Sequence, residues 1–524
     1  MEYVAVGIVS KLRFATNALT PVNRLPPEIL CDVFFHLRPV IRGGSKRLWQ
    51  KRQPFEDLLV VTNTCQHWRA IAITTPDLWS QLIIREPCSN FDDATRLFID
   101  RSGELPLDAD VGYGLAVVAP HTNRLRTLWC KGYAISESPN LSDRPAPLLE
   151  ELHILPHWSE TESPPLQTLF DRDSPSLRRL TIDGYKPWPN NHFGGLSSFH
   201  LQLSTKGDAP TVLIPLLAML RDSPQLEELS LCLCFVRGIL PSPHGIPTRA
   251  TLYTLKKLHF RYTAASLVRQ FLGSVDLARN GIAMQFTNIA LGPHRVFPAT
   301  LPPEMSLRAA TSLEIIYIPG GGLIIQGTNP GMRIRVVGHS DSDGGLAEIF
   351  SLLVRLTSPQ FPLRELWIHV EREGECKLPP LPRFSHLEKL AVRSTVGGSP
   401  IRQLLRMLDT DRNVSCPLPS TIHLLGSPAT GDLLKILKAR SDAGYRLERL
   451  GLRKVQLPLE SIAMLRGYVG ELELFSEEGE PCGMELPAVC MEEIGEWWEP
   501  WTKHRVAPLI DGRFECVEKN EDPL

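Results

Sequence analysis

The sequence predicts an α/β fold in which parallel strands alternate with helices in a repeating unit, headed by a small helical module. Three observations carry that expectation. A short leucine-led phrase returns twelve times from residue 125 onward, apolar helical stretches ending in a Ser-Pro or Gly break precede several copies, and residues 22–84 keep a helical rhythm throughout.

The clear copies are LRTLWC from Leu125, LEELHI from Leu149, LRRLTI from Leu177, LEELSL from Leu226, LKKLHF from Leu255, LRELWI from Leu363, LEKLAV from Leu387 and LERLGL from Leu447. Looser copies start at Leu196, Leu313, Leu418 and Val469. Successive starts lie 19 to 31 residues apart, except for gaps of 58 and 50, where QFTNIAL from Gln285 and MRIRVV from Met332 are expected to supply degenerate copies. An LxxLxL core with a period of about 20–30 residues is the leucine-rich-repeat signature.

In LEELSL the alternation puts Leu229 and Leu231 on one strand face, while Leu226 packs from the incoming turn. One such strand cannot bury its apolar face alone; stacked copies can. Leu213, Leu216, Leu217 and Leu220 stand at helical spacing before a Ser-Pro break, and Ile349, Leu352, Leu353 and Leu356 repeat the pattern, as does DLLKILKARSDAG. The unit is therefore helix, turn, strand, with right-handed parallel packing. Residues 112–475 are expected to form an irregular solenoid of parallel strands backed by helices; an ordinary α/β domain with LxxL-led strands is the alternative.

In the N-terminal module, a Pro pair in NRLPPEILCDVFFHL opens a helix. Ile29, Leu30, Val33, Phe34 and Leu37 then form a broad apolar stripe. After the basic insertion RPVIRGGSKRLWQKRQP, the residues Leu58, Leu59, Val61, Cys65, Trp68, Ile71 and Ala72 supply two further stripes. Three short helices make a marginal domain.

These residues resemble the F-box domain in the form expanded among fungi. Leu25, Pro26, Glu28, Ile29, Leu30, Phe34 and Leu37 match the first half of its pattern, and Cys65, Trp68, Arg69, Ile71, Ala72, Pro76, Leu78 and Trp79 match the second. Thr64 departs from the usual Val, and the loop between the first two helices is enlarged and basic. The segment ATRLFIDRSGELPLDADV is similar to the helix-to-strand joint that follows in that family. The resemblance implies a three-helix F-box over 22–84, after a lead at 1–21 and before a linker helix and first strand at 85–111 and the repeat body; residues 476–524 would form a C-terminal cap or tail.

The resemblance further implies a non-catalytic adaptor that binds a Skp-type linker protein and through it a cullin–RING ligase, the repeat body holding a protein substrate. Leu25, Pro26, Pro27, Ile29, Leu30, Phe34 and Leu37 would contact the linker, and Trp68 and Trp79 would serve either as contacts or as core of the module. Two alternatives remain: a repeat scaffold whose F-box-like helices only cap the solenoid, and an α/β hydrolase or ligand binder.

Lys and Arg total 56 against 58 Asp and Glu, a formal net charge of −2 that gives no electrostatic case for nucleic acid or an anionic membrane. No apolar run approaches the ~20 residues that span a bilayer, and MEYVAVGIVSK lacks the basic start of a signal peptide. Eleven scattered Cys, among them Cys232 and Cys234, suit a reducing compartment, so cytosol or nucleus is expected.

No cofactor, metal or catalytic residue is expected. Pro156 separates His153 from His157, DSDGG at 341–345 lacks the Gly and Glu of a calcium loop, and the run Gly320, Gly321 and Gly322 lacks a phosphate-loop context. Trp497, Trp498 and Trp501 suit a cap over the last repeat.

Overall fold

In the computed structural model, the residues described are 2–37, 54–84, 91–112, 115–131, 135, 141–155, 166–188, 191–203, 207–234, 236–237, 249–277, 282–287, 311–317, 323–328, 331–336, 363–370, 386–394, 401, 419–426, 430–453, 459–475 and 488–491. The protein is a mixed α/β chain built on parallel strands. It divides into two compact units, Met1–Pro302 with Ile494–Trp498, and Pro303–Glu493 with Glu499–Leu524. The sequence-based partition has no boundary near residue 302.

The first unit begins with helices. The segment expected to be a mere lead forms helix α1 (Glu2–Leu19), followed by a 3-10 turn at Pro21–Arg24. Helix α2 (Pro27–Phe35) starts on Pro27, whose missing N–H costs nothing in a first turn. Helices α3 (Pro54–Thr64) and α4 (Gln66–Ile73) are separated by Cys65 alone, an extended residue whose Sγ accepts the Trp68 amide at 3.4 Å and caps α4. A 3-10 turn at Pro76–Trp79 then leads straight into strand β1 (Gln81–Ile84), so the sheet starts one strand earlier than the sequence suggests.

Nine strands of this unit follow one another in chain order, each parallel to the last. After β1 come β2 (Leu107–Val111), β3 (Leu125–Lys131), β4 (Glu151–Leu155), β5 (Arg179–Asp183), β6 (Ser198–Leu203), β7 (Glu228–Leu233), β8 (Lys257–Arg261) and β9 (Ala283–Thr287). The leucine phrase sets their register. Leu128, Leu152, Leu180, Phe199, Leu229, Leu258 and Met284 pair in a continuous row, with Cys130, Ile154, Ile182, Leu201, Leu231, Phe260 and Phe286 two residues on. Both rows are buried, and so are the leading Leu149, Leu177, Leu196, Leu226 and Leu255. Each such side chain contributes roughly 1.5–3 kcal/mol by leaving water.

A second device repeats with the phrase. The carbonyl of its second residue accepts two amides from the next copy: Glu150 O takes the Arg178 and Arg179 N–H groups at 2.9 and 3.0 Å, and Ser197 O takes those of Glu227 and Glu228 at 2.7 and 3.0 Å. Arg178 O and Glu227 O do the same for the copies that follow them.

Among the described residues of this unit, helices are sparser than expected. Helix α5 (Phe91–Arg101) joins β1 to β2, α6 (Ala209–Arg221) precedes β7, and α7 (Ala265–Gly273) follows β8. A short 3-10 turn at Phe170–Arg172 lies between β4 and β5.

In the second unit β10 (Ser312–Tyr317) pairs in parallel with β13 (Glu365–Val370), and β14 (Lys389–Ser394), β15 (Thr421–Leu425), β16 (Leu447–Arg453) and β17 (Val469–Phe475) continue the parallel order. Between β10 and β13 lies an antiparallel hairpin, β11 (Leu323–Thr328) and β12 (Gly331–Val336), the former paired with β10. MRIRVV forms the second arm of this hairpin, antiparallel to β11. The expected copies at Gln285 and Leu313 are out of phase, because Met284 and Leu313 occupy the fourth position of the phrase. Helix α8 (Thr430–Asp442) precedes β16 as the sequence predicts, and α9 (Leu459–Tyr468), which the sequence reading did not single out, precedes β17. The helix expected around 349–356, the basic insertion, the Gly run, DSDGG and the three C-terminal Trp lie outside the described residues.

Candidate docking surfaces

The broad apolar stripe of the first helix splits into two faces. Leu30 and Phe34 point inward with 0% of their surface exposed, and Phe34 packs its ring 5.2 Å from Trp68. Leu25, Ile29, Val33 and Leu37 point outward and keep 37%, 46%, 44% and 41% of theirs. Ile29 and Val33 stand one turn apart on the same side of α2, and Leu25 and Leu37 extend the exposed apolar surface before and after the helix. Pro26 and Pro27 are also exposed and set the start of that surface.

The matched residues of the second half tie the module together from inside. The Trp68 indole N–H donates to Asn23 Oδ1 at 2.6 Å, and Arg69 Nε donates to the Thr62 carbonyl at 2.7 Å. Trp79 is fully buried: its indole N–H donates to the Ala72 carbonyl at 2.7 Å, its ring meets Phe98 edge-on at 4.9 Å, and the Arg101 guanidinium lies 4.3 Å from its centre. Of the nine residues singled out from sequence, Leu25, Pro26, Pro27, Ile29 and Leu37 face solvent, Trp68 is half-buried, and Leu30, Phe34 and Trp79 have no surface to offer a partner. Val33 belongs with the exposed group.

The face of the sheet opposite the two buried rows carries a third row that the sequence reading overlooked, and this row too is buried. The residue between the two buried positions of each phrase forms a row across the first unit: Asp110, Trp129, His153, Thr181, His200, Ser230, His259 and Gln285. The signal was available as a recurring Trp or His in fifth place of the phrase. Trp129 and His153 stack with ring centres 3.5 Å apart and planes 10° from parallel. The Trp129 indole nitrogen, both His153 ring nitrogens and Ser230 Oγ are buried without a hydrogen-bond partner among the described residues.

Burial pushes the His153 imidazole down to about 3, against the opposing pull of the Asp110 charge. The ring is neutral at physiological pH, and its 3.5 Å approach to Glu151 is not an ion pair. Burial also holds His200 well below the ordinary range, helped by the charges of Arg261 and the neighbouring histidines. At the third position of the phrase, charges cancel between neighbouring strands of each unit. Arg179 pairs with Glu151, Lys257 approaches Glu228 at 3.9 Å, Lys389 meets Glu365 at 2.8 Å, and Arg449 meets Glu471 at 3.1 Å.

Among the described residues no three His, Cys, Asp or Glu side chains gather to hold a metal, and no helix is long and apolar enough to cross a membrane. Comparison with models of known protein families gives no match, and no curated protein matches the sequence.

Proposed function

We propose that the chain is a substrate-recognition adaptor of a Skp–cullin–F-box ubiquitin ligase, its N-terminal module an F-box and its repeating strands a leucine-rich-repeat body. The carrying observation is the apolar surface of Leu25, Ile29, Val33 and Leu37, exposed above a module whose interior is already filled. Two aliphatic side chains one turn apart on a helix, flanked by one more at each end, suit a groove on a helical linker protein. Catalysis in such an assembly belongs to other subunits. This chain contributes proximity, raising the effective concentration of substrate lysines near the ubiquitin thioester. The repeating strands, charge-balanced between neighbours at the third position of the phrase, are the part assigned to the protein substrate. By elimination it would work in the cytosol or nucleus.

A scaffold reading draws on a different observation. Helices α3 and α5 and the turn at Pro76–Trp79 all pack on β1, the first strand, and so cap that end of the sheet. Calorimetry with a purified Skp-type linker separates the two. Ile29→Asp with Val33→Asp alters exposed positions only, so folding stability is expected to hold within roughly 1 kcal/mol, while linker affinity drops by more than about 100-fold. A wild-type chain that does not bind the linker, or a double variant that binds as well as wild type, overturns the adaptor reading in favour of the scaffold.

A further inference from the structure

Cys232 and Cys234 stand at the C-terminal end of β7, two residues apart and thus on the same side of the strand. Their sulfurs lie 3.3 Å apart and share a hydrogen bond. Cys232 is buried on the same face as the third row, in register with Gln202 on β6 and Arg261 on β8. Cys234 is partly exposed and lies one residue beyond the strand, in a turn. A shared S–H bond needs one sulfur as donor. That bond and burial together push the Cys232 thiol up, so Cys232 is the sulfur that holds its proton more tightly. The pair therefore divides into a protected, protonated sulfur and an accessible one.

Two residues along an extended strand span about 6.6 Å between Cα atoms, near the upper end of what a disulfide bridges. Because Cys234 lies past the last ladder position, closing that distance contracts a turn and leaves the register of β6, β7 and β8 intact. Leu233 is anchored between them: its amide donates to Thr263 Oγ1 at 3.2 Å, holding the strand end while the turn moves.

We propose that Cys232 and Cys234 form a reversible dithiol–disulfide site, oxidised by hydrogen peroxide or an equivalent two-electron oxidant, at the edge of that sheet face. Cys234 as thiolate attacks one peroxide oxygen; the O–O bond breaks, leaving a sulfenic acid on Cys234 and releasing water once the leaving hydroxide takes up a proton. The Cys232 sulfur then attacks the sulfenic sulfur, the S–O bond breaks, a second water leaves with the Cys232 proton, and the S–S bond forms. Two thiols lose two electrons and peroxide gains them. A dithiol reductant reverses the change by thiol exchange. The proposal stands independently of the adaptor reading.

The full-length protein tests it directly, because trypsin releases both cysteines in one peptide, Asp222–Arg237. After mild peroxide treatment and alkylation of free thiols, that peptide should appear unalkylated and two hydrogens lighter, returning to the doubly alkylated form after dithiothreitol. In Cys232→Ser, dimedone should trap a sulfenic acid at Cys234. The untreated wild type should also bind one equivalent of phenylarsine oxide at this peptide, a reagent for paired thiols, and either Ser variant should lose that binding. The wild-type readouts do not depend on variant folding. A peptide that stays doubly alkylated while other cysteines oxidise, or a bond from either residue to a different cysteine, overturns the proposal.

Discussion

At the scale of single residues, His153 shows how the buried third row is maintained. An imidazole that ordinarily takes a proton near 6.5 is held at about 3, so the unfolded chain accepts a proton that the folded chain refuses. Folded-state stability is therefore complete above about pH 6.5 and erodes as pH falls toward about 3. His153→Gln should lessen that erosion, reducing the loss in urea midpoint between about pH 7 and pH 4.5 relative to wild type; equal losses would refute a neutral buried His153. His200 shifts in the same direction, so part of the slope persists. Trp79 carries a different kind of weight. Trp79→Ala opens a cavity between α4 and α5 and should cost about 3–5 kcal/mol in urea unfolding, whereas Trp79→Phe mainly strands the Ala72 carbonyl and should cost about 1–3 kcal/mol.

At the scale of elements, helical periodicity in α2 marked which residues were apolar but not which of them were covered. The stripe is broader than the contact with α4 requires, so Leu30 and Phe34 turn inward and Ile29 and Val33 are left outside. That division depends on where the neighbouring helix sits, which no local pattern encodes. Strand positions were more legible, because alternation and a leading Leu fix both face and register wherever the phrase is intact. It failed where the phrase degenerates, at Gln285 and Leu313, and Met332 lies on a hairpin arm. Close backbone approach was equally hidden. An added Cβ at Gly470 would stand 2.6 Å from the Glu448 carbonyl oxygen, while one at Gly467 in α9 would meet nothing within 4 Å. Gly470→Ala should therefore destabilise by about 1–3 kcal/mol. Gly467→Ala should be neutral or stabilise by up to about 1 kcal/mol. Paired chemical-unfolding curves check both, and equal effects would contradict the register of β16 on β17.

At the scale of the whole molecule, each strand of the first unit draws its support from the strands on either side. Leu229→Ala should cost about 2–5 kcal/mol locally. In hydrogen exchange the loss of protection should be greatest in β6, β7 and β8 and fade toward β2. Uniform loss across the unit would mean that it opens as one body. The connecting chain varies far more than the strands do. Fourth-position residues are 19 apart from Leu180 to Phe199, 30 from Phe199 to Leu229, and 53 from Leu313 to Leu366 with a hairpin inserted. Alignment survives these differences because the doubly used carbonyl clocks each rung against its predecessor at a single atom. Growth and trimming of such a sheet are thus quantised: a whole repeat removed between two of these carbonyls leaves a chain that can re-engage, whereas one residue lost from the start of a strand, just after its carbonyl, turns the greasy side of that strand the wrong way.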